Sequence, residues 1–205
     1  MARRGRPRSF DREDALGQAM EVFWAFGYEG ATVTGLQEAM GGITAPSFYA
    51  AFGSKENLFR EAVELYSKTL GAPMMQTLAE APTARASLEA LLQNAVGIFC
   101  RPGKPRGCPL VLGGSNNIPA NKTVQDHVRG LRARRKRVIE ERLRRGVAEG
   151  ELPATLNVSA VSCFYTTVVD GLAIQARDGA SRKALQFAVR GAMAAWETLL
   201  AEART

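Results

Sequence analysis

One histidine, three cysteines and two clusters of arginine are the side chains of this 205-residue chain around which chemistry could be organised. The histidine, His127, stands alone, which excludes a histidine-based metal centre and forces any serine or cysteine triad through a single residue. Cys100, Cys108 and Cys163 are odd in number and show no C-x-x-C spacing, so neither a disulfide framework nor a zinc site is expected, and a reducing compartment suits them. No catalytic residue, metal or cofactor is assigned, and the expectation is a protein that is not an enzyme. The arginines point elsewhere. Residues 121–145 hold ten basic side chains against three acids, an excess equal to the chain's whole net charge of +7. A second cluster, Arg3, Arg4, Arg6, Arg8 and Arg12, faces only Asp11 at the start of the chain. Positive charge gathered in this way invites a nucleic-acid partner.

The elements that must position these residues are helical by pattern. Hydrophobic residues make up 46% and charged residues 23%, which excludes a disordered or collagen-like chain. No uninterrupted apolar run approaches the roughly 18 residues that cross a bilayer, and no apolar stretch follows the arginine-rich start. A cytoplasmic protein without a membrane partner is expected. Ala15, Ala19, Val22, Phe23 and Phe26 recur at helical intervals, and Gly27 supplies a stop. Thr32-Val33-Thr34 caps a second helix with Leu36, Ala39 and Met40 inward, ended by Gly41-Gly42. A short helix restarts at Thr44 with Pro46 in its first turn and runs to Phe52. Gly53 breaks the chain, and Ser54 caps a longer helix with Leu58, Phe59, Ala62, Val63, Tyr66 and Leu70 on one face. Two short helices joined by a glycine turn form a helix-turn-helix.

The short helix carries no Lys or Arg between Ile43 and Phe52, so a bidentate arginine contact to guanine is unavailable from it. Thr44 and Ser47 can bond to bases or phosphates, Tyr49 can reach a phosphate or pack on a thymine methyl, and Ala45 permits close approach. Spacing alone leaves open a satisfied cap with core aromatics. Arg3, Arg4, Arg6 and Arg8, spaced by Gly5 and Pro7, form a basic arm of the kind that lies in a minor groove, or else a solubilising tail. Lys55 follows Ser54 at a helix start, where free amides attract an anion; a solvated lysine is the alternative.

Beyond Leu70, Pro73 and Pro82 bracket a junction before a helix rich in Leu88, Leu91, Leu92, Val96 and Phe99. A Gly/Pro loop covers 102–109. Residues 124–148 read as one amphipathic helix with Val124, Val128, Leu131, Val138, Leu143 and Val147 inward and its cations on the opposite, solvated face. Helices near 158–177 and 181–203 spread apolar residues over more than one face, as a subunit contact requires. An effector pocket between helices is expected to draw on Phe99, Cys108, Phe164, Tyr165 and Trp196, each of which is equally at home in an ordinary core. Cys108, in the loop with Arg101, Lys104 and Arg106 nearby, is either a reactive thiol or an inert small hydrophobe.

From Arg6 through Leu70 the sequence resembles the tetracycline-repressor (TetR) family of bacterial transcriptional regulators. The resemblance is carried by Gly27-Tyr28-Glu29-Gly30-Ala31-Thr32-Val33-Thr34 and by Pro46-Ser47-Phe48-Tyr49-Ala50-Ala51-Phe52-Gly53-Ser54-Lys55-Glu56-Asn57-Leu58-Phe59. It covers about a third of the chain; the remainder matches in length and helical character. Gly41-Gly42 makes the turn one residue longer than the family's usual form. The resemblance implies an all-α fold: a DNA-binding head over 1–53, a connecting helix over 54–70 and an effector-binding, dimerising body over 71–205. It implies that Thr44, Ala45, Ser47 and Tyr49 face bases or phosphates of a palindromic double-stranded operator, with Thr34 and Lys55 on phosphates. The homodimer would form through the last two helices, and a small-molecule effector would release the repressor. The rival reading is a helical protein-interaction module that uses the basic helix 129–145.

Overall fold

The computed structural model describes residues 10–113 and 119–202, and its regular elements are helices. Helix α1 (Arg12–Gly30) begins at Asp11, whose carboxylate accepts the amides of Glu13 at 2.7 Å and Asp14 at 3.0 Å. At Gly27 the backbone turns to φ +69°, so the expected stop is a kink, after which one more turn follows. Ala15, Ala19 and Phe23 are buried as the spacing predicts. Phe26, expected beside them and directly before the Gly27 kink, is instead 66% exposed, and Trp24 is buried. Helix α2 (Val33–Ala39) is capped by Thr32 and buries Leu36; Met40 is also buried, while Ala39 faces solvent, contrary to expectation. Helix α3 (Ala45–Phe52) starts at Thr44, and α4 (Lys55–Tyr66) at Ser54, whose hydroxyl accepts the Asn57 amide at 3.0 Å.

The chain departs from the sequence reading at the end of α4. Instead of a junction, it winds through one wide π turn (Ser67–Gly71) directly into α5 (Ala72–Glu80). Pro73 sits in the first turn of α5, where a missing amide donor costs little, so it does not break the helix. Helix α6 (Ala84–Phe99) is the central pillar, buried along Leu88, Leu91, Leu92, Ala95, Val96 and Phe99, and it packs against α5 and three later helices. A loop and the short α7 (Pro109–Leu112) lead to α8 (Lys122–Ala148), α9 (Val158–Arg177) and α10 (Arg182–Ala194). The last expected helix breaks at Ala195, and α11 (Trp196–Glu202) continues it.

One further expectation needs correction. The inward face of α8 contains Arg135 and Arg142 beside Val124, Val128, Leu131, Ile139 and Leu143, so the basic helix is not simply a solvated face. Helix α9 is long and apolar enough by length and composition to cross a membrane, with mean hydropathy 1.2, although no uninterrupted apolar run marks it in the sequence. It packs on α6, α8 and α10, which accounts for one side of it.

Candidate nucleic-acid interface and effector cavity

Helix α3 is held by its aromatics and shows its polar edge to solvent. Phe48 and Phe52 are buried, with the Arg12 guanidinium 4.7 Å above the Phe52 ring. Arg12 also donates to the Ala51 carbonyl at 3.3 Å and pairs with Glu61 at 2.7 Å, so this member of the first arginine cluster clamps the head together. On the free side, Thr44 and Ala45 are exposed and Ser47 is half-buried. Tyr49 is 51% exposed, edge-on to Phe48 at 5.2 Å. The Thr44 hydroxyl accepts the Ser47 amide at 3.4 Å and lies 3.0 Å from the Ser47 hydroxyl. Thr44, Ala45 and Ser47 stand at the start of the helix, with Tyr49 about one turn further on. Gly41 and Gly42, at φ +85° and +74°, make the turn that sets α3 against α2, a backbone that L side chains rarely adopt.

Thr34 is exposed in the first turn of α2, and Lys55 occupies the first position of α4. The Lys55 ammonium is half-buried, 4.4 Å above the Tyr28 ring. Partial burial pulls its pKa down, with Glu29 opposing that shift. Stacking fixes its direction at the helix start more firmly than a solvated lysine would be. Arg3, Arg4, Arg6 and Arg8 lie outside the described residues.

The body contains an apolar cavity of about 300 Å³. Its lining comes from the α4 end and π turn (Tyr66, Ser67, Lys68), from α5 (Met74, Met75), from Cys108 and Leu110, and from α8 (Leu131, Arg134, Arg135, Val138). Of the predicted wall residues, only Cys108 is there. Phe99, Tyr165 and Trp196 are buried in the interior away from this cavity, Tyr165 tilted against Trp196 at 6.0 Å. Phe164 instead lines an open groove between α9 and α10 with Val168, Gly171, Leu172, Leu185 and Ala188. Exposed Phe187 and Ile174 also project from these two helices.

Burial governs the chemistry of the cavity. The Tyr66 hydroxyl lies 3.4 Å from Cys108 Sγ, and burial, reinforced by the neighbouring thiol, pushes its pKa well above the ordinary tyrosine value. Two of the cations that sequence placed near Cys108 are engaged elsewhere: Lys104 pairs with Glu21, and Arg106 donates to the Ala180 carbonyl and to Cys100 Sγ, while the charge of Arg101 acts on the Tyr66 hydroxyl. Cys108 itself is buried. Two further arginines of α8 also turn inward. Arg135 pairs with Asp170, and Arg142, 2% exposed, donates to Ser87 Oγ at 2.8 Å and pairs with Glu151 at 3.2 Å.

One contact joins cavity and head directly. The Trp24 indole N–H donates to the Gly107 carbonyl at 3.2 Å, and its ring meets Tyr66 edge-on at 5.0 Å. Gly107 has φ +83°, and a Cβ there would lie 2.7 Å from the Ala173 carbonyl oxygen, so only glycine fits. Arg177, at the end of α9, donates to the Trp24 carbonyl at 3.1 Å and to that of Ala25, just ahead of the Gly27 kink.

Sequence reasoning missed Tyr66 and Arg135 as cavity residues, and Trp24 and Arg177 as the link. For Arg135 a signal existed: positions 124, 128, 131, 135, 139 and 142 are separated by three or four residues, the spacing of one helical face. Met74 and Met75 were hidden by reading Pro73 as a break.

The comparisons agree with this geometry. Residues 15–62 match the family model described as bacterial regulatory proteins, tetR family, and residues 82–192 match the tetracyclin repressor-like C-terminal domain. The chain is 30% identical over 198 residues to the HTH-type transcriptional repressor ComR of Escherichia coli strain K12, covering 96% of this chain and 94% of that one. It is 28% identical to the repressor BdcR of the same strain, covering 97% of this chain and 95% of that one. Among solved structures, a cysteine mutant of the TetR family transcriptional regulator CifR, complexed with 26-base-pair double-strand operator DNA, superposes with TM-score 0.90 at 44% identity. That match covers 93% of this chain and 100% of the other.

Proposed function

Because this chain belongs to the tetracycline-repressor family of bacterial regulators, we propose that it is a cytoplasmic, homodimeric repressor that binds a palindromic operator and is released by a small molecule in the Tyr66–Cys108 cavity. Residues 1–53 serve as the reading head, 54–70 as the connecting helix and 71–205 as the sensing and dimerising body. In each protomer α3 enters a major groove with Thr44, Ala45, Ser47 and Tyr49 toward the DNA, and Thr34 and Lys55 fix phosphates. The operator complex of CifR and the repressor names of the relatives support this reading. With no cation on α3, affinity falls to the arm of Arg3, Arg4, Arg6 and Arg8. The open α9–α10 groove with Phe187 and Ile174 is the dimer face. A second subunit there also explains why α9 is so apolar on its outer side.

The single observation that carries the mechanism is the Trp24–Gly107 hydrogen bond. The residue after Gly107 is a cavity wall, and Trp24 belongs to the first head helix. A ligand that displaces Tyr66 or Cys108 therefore acts on both atoms that hold Trp24. It shifts the population toward head spacings that no longer match successive grooves, by no more than its differential affinity for the two states.

The test is selection of genomic fragments by the full chain, followed by protection mapping. Two protected, two-fold-related half-sites whose centres lie about one helical turn, roughly 10 base pairs, or a multiple of it apart are expected. A monomer with no preference over random competitor overturns the proposal.

A further inference from the structure

The effector cavity contains two donors that lack a good acceptor. Arg135 lines it with 5% of its side chain exposed; one terminal nitrogen pairs with Asp170, but its Nε–H has no hydrogen-bond partner among the described residues. The Tyr66 hydroxyl has Cys108 Sγ at 3.4 Å, and sulfur is a weak acceptor. Burial keeps that phenol protonated and therefore a donor. Tyr66 and Arg135 line the same cavity. A buried donor left unmet is costly, and an incoming acceptor removes that cost.

We propose that the effector is a small uncharged molecule with an apolar body and one acceptor oxygen, such as a ketone, ester or ether. The oxygen accepts from Arg135 Nε–H and Tyr66 O–H, while the body lies among Met74, Met75, Leu110, Leu131 and Val138. This inference rests on reading the cavity as the effector site.

Charge decides the class. Asp170 pairs with Arg135, so a carboxylate on Nε would sit beside a second anion. Lys68 and Arg134 also line the cavity, but both are exposed, and water screens exposed charges. A cationic ligand meets Arg135 and finds no carboxylate in the lining. Size narrows the class further: a volume of about 300 Å³ lies at the small end of ligand pockets, which suits one ring and a few carbons.

The experiment is calorimetric titration of the full-length dimer, without DNA, using acetophenone, ethylbenzene, benzoate and 1-phenylethylamine. Acetophenone and ethylbenzene match in shape and differ in the acceptor oxygen. Acetophenone is expected to bind saturably and about tenfold more tightly than ethylbenzene, a preference of about 1.4 kcal/mol, and more tightly than either ion. Arg135→Lys keeps a cation for Asp170 but removes Nε, and is expected to narrow the preference to within twofold. Tyr66→Phe keeps the ring and is expected to narrow it about threefold, so the inference survives a folding failure of the first variant. Equal binding of ethylbenzene, tighter binding of benzoate or the amine, no acetophenone binding at millimolar concentration, or a preference that outlasts both substitutions overturns it. Because DNA is absent, such a result leaves the repressor reading standing. A chain that prefers acetophenone yet selects no operator refutes only that reading.

Discussion

Helices α3 and α8 use charge in opposite ways. The helix proposed to face DNA has no lysine or arginine between Ile43 and Phe52, while α8 carries the chain's densest run of cations and turns several of them inward. Arg142 is locked to Ser87 and Glu151, Arg135 to Asp170, and Arg132 donates to the Leu110 carbonyl at 2.7 Å. A count of charge along the sequence therefore does not coincide with the proposed reading surface, which is marked by caps, an exposed polar edge and a rigid aromatic backing, and part of the basic run on α8 holds the body together.

The strongest way to break this contrast is to remove a buried cation. Arg142→Ala leaves Glu151 and Ser87 without their partner, and loss of one member of a buried pair costs about 3–5 kcal/mol. At roughly 2–4 °C per kcal/mol for a chain of this size, thermal unfolding should fall by about 6–20 °C. A shift under 2 °C in a thermal melt would restore α8 as a solvated face. Next in size, Tyr49→Ala should weaken binding to a selected site by about 10- to 30-fold, the order of one to two good base or phosphate contacts. Because Tyr49 is half-exposed, the melting temperature should stay within a degree or two. Fluorescence anisotropy on labelled duplex measures the first quantity and calorimetry the second.

The contrast sharpens with changes that should do little. Arg129→Gln combined with Arg137→Gln removes two exposed cations of α8 and should leave affinity for the selected site within twofold. A tenfold loss would place α8 on the DNA. The smallest effect concerns His127, whose pKa is lowered by burial and by Arg60 and Arg134, against Glu64. A histidine with a depressed folded pKa binds its proton more readily when unfolded, so its contribution is present above about pH 6.5 and is lost as pH falls through the lower folded value. Melting curves between pH 7.5 and 5 should fall less steeply for His127→Gln than for the natural chain.

How much was legible in the sequence follows the range of each interaction. Thr32, Thr44 and Ser54 each cap an amide three residues ahead, so residue type and spacing revealed them. The caps, the helix-turn-helix and the two-part all-α plan were accordingly legible, while the kink at Gly27 and the exposure of Phe26 and Ala39 were not. The cavity was not, because its defining contacts join distant positions: Tyr66 with Cys108, Trp24 with Gly107, Arg177 with Trp24. Aromatic type suggested Phe99, Tyr165 and Trp196 as walls, yet large rings are as well suited to filling a core, and that is where packing put them. The Met-lined side was lost to a proline that turned out to start a helix.

The most direct test of the central claim tethers a hydroxyl-radical cleavage reagent to an introduced surface cysteine in a Cys100→Ser, Cys163→Ser background, where the remaining Cys108 is buried, and maps cuts on a selected duplex. Tyr49→Cys, on α3, should cut both half-sites, in two clusters separated by about 10 base pairs or a multiple of it. Arg137→Cys, on α8, should give no cuts. Cleavage from position 137 with silence from position 49 would contradict the account.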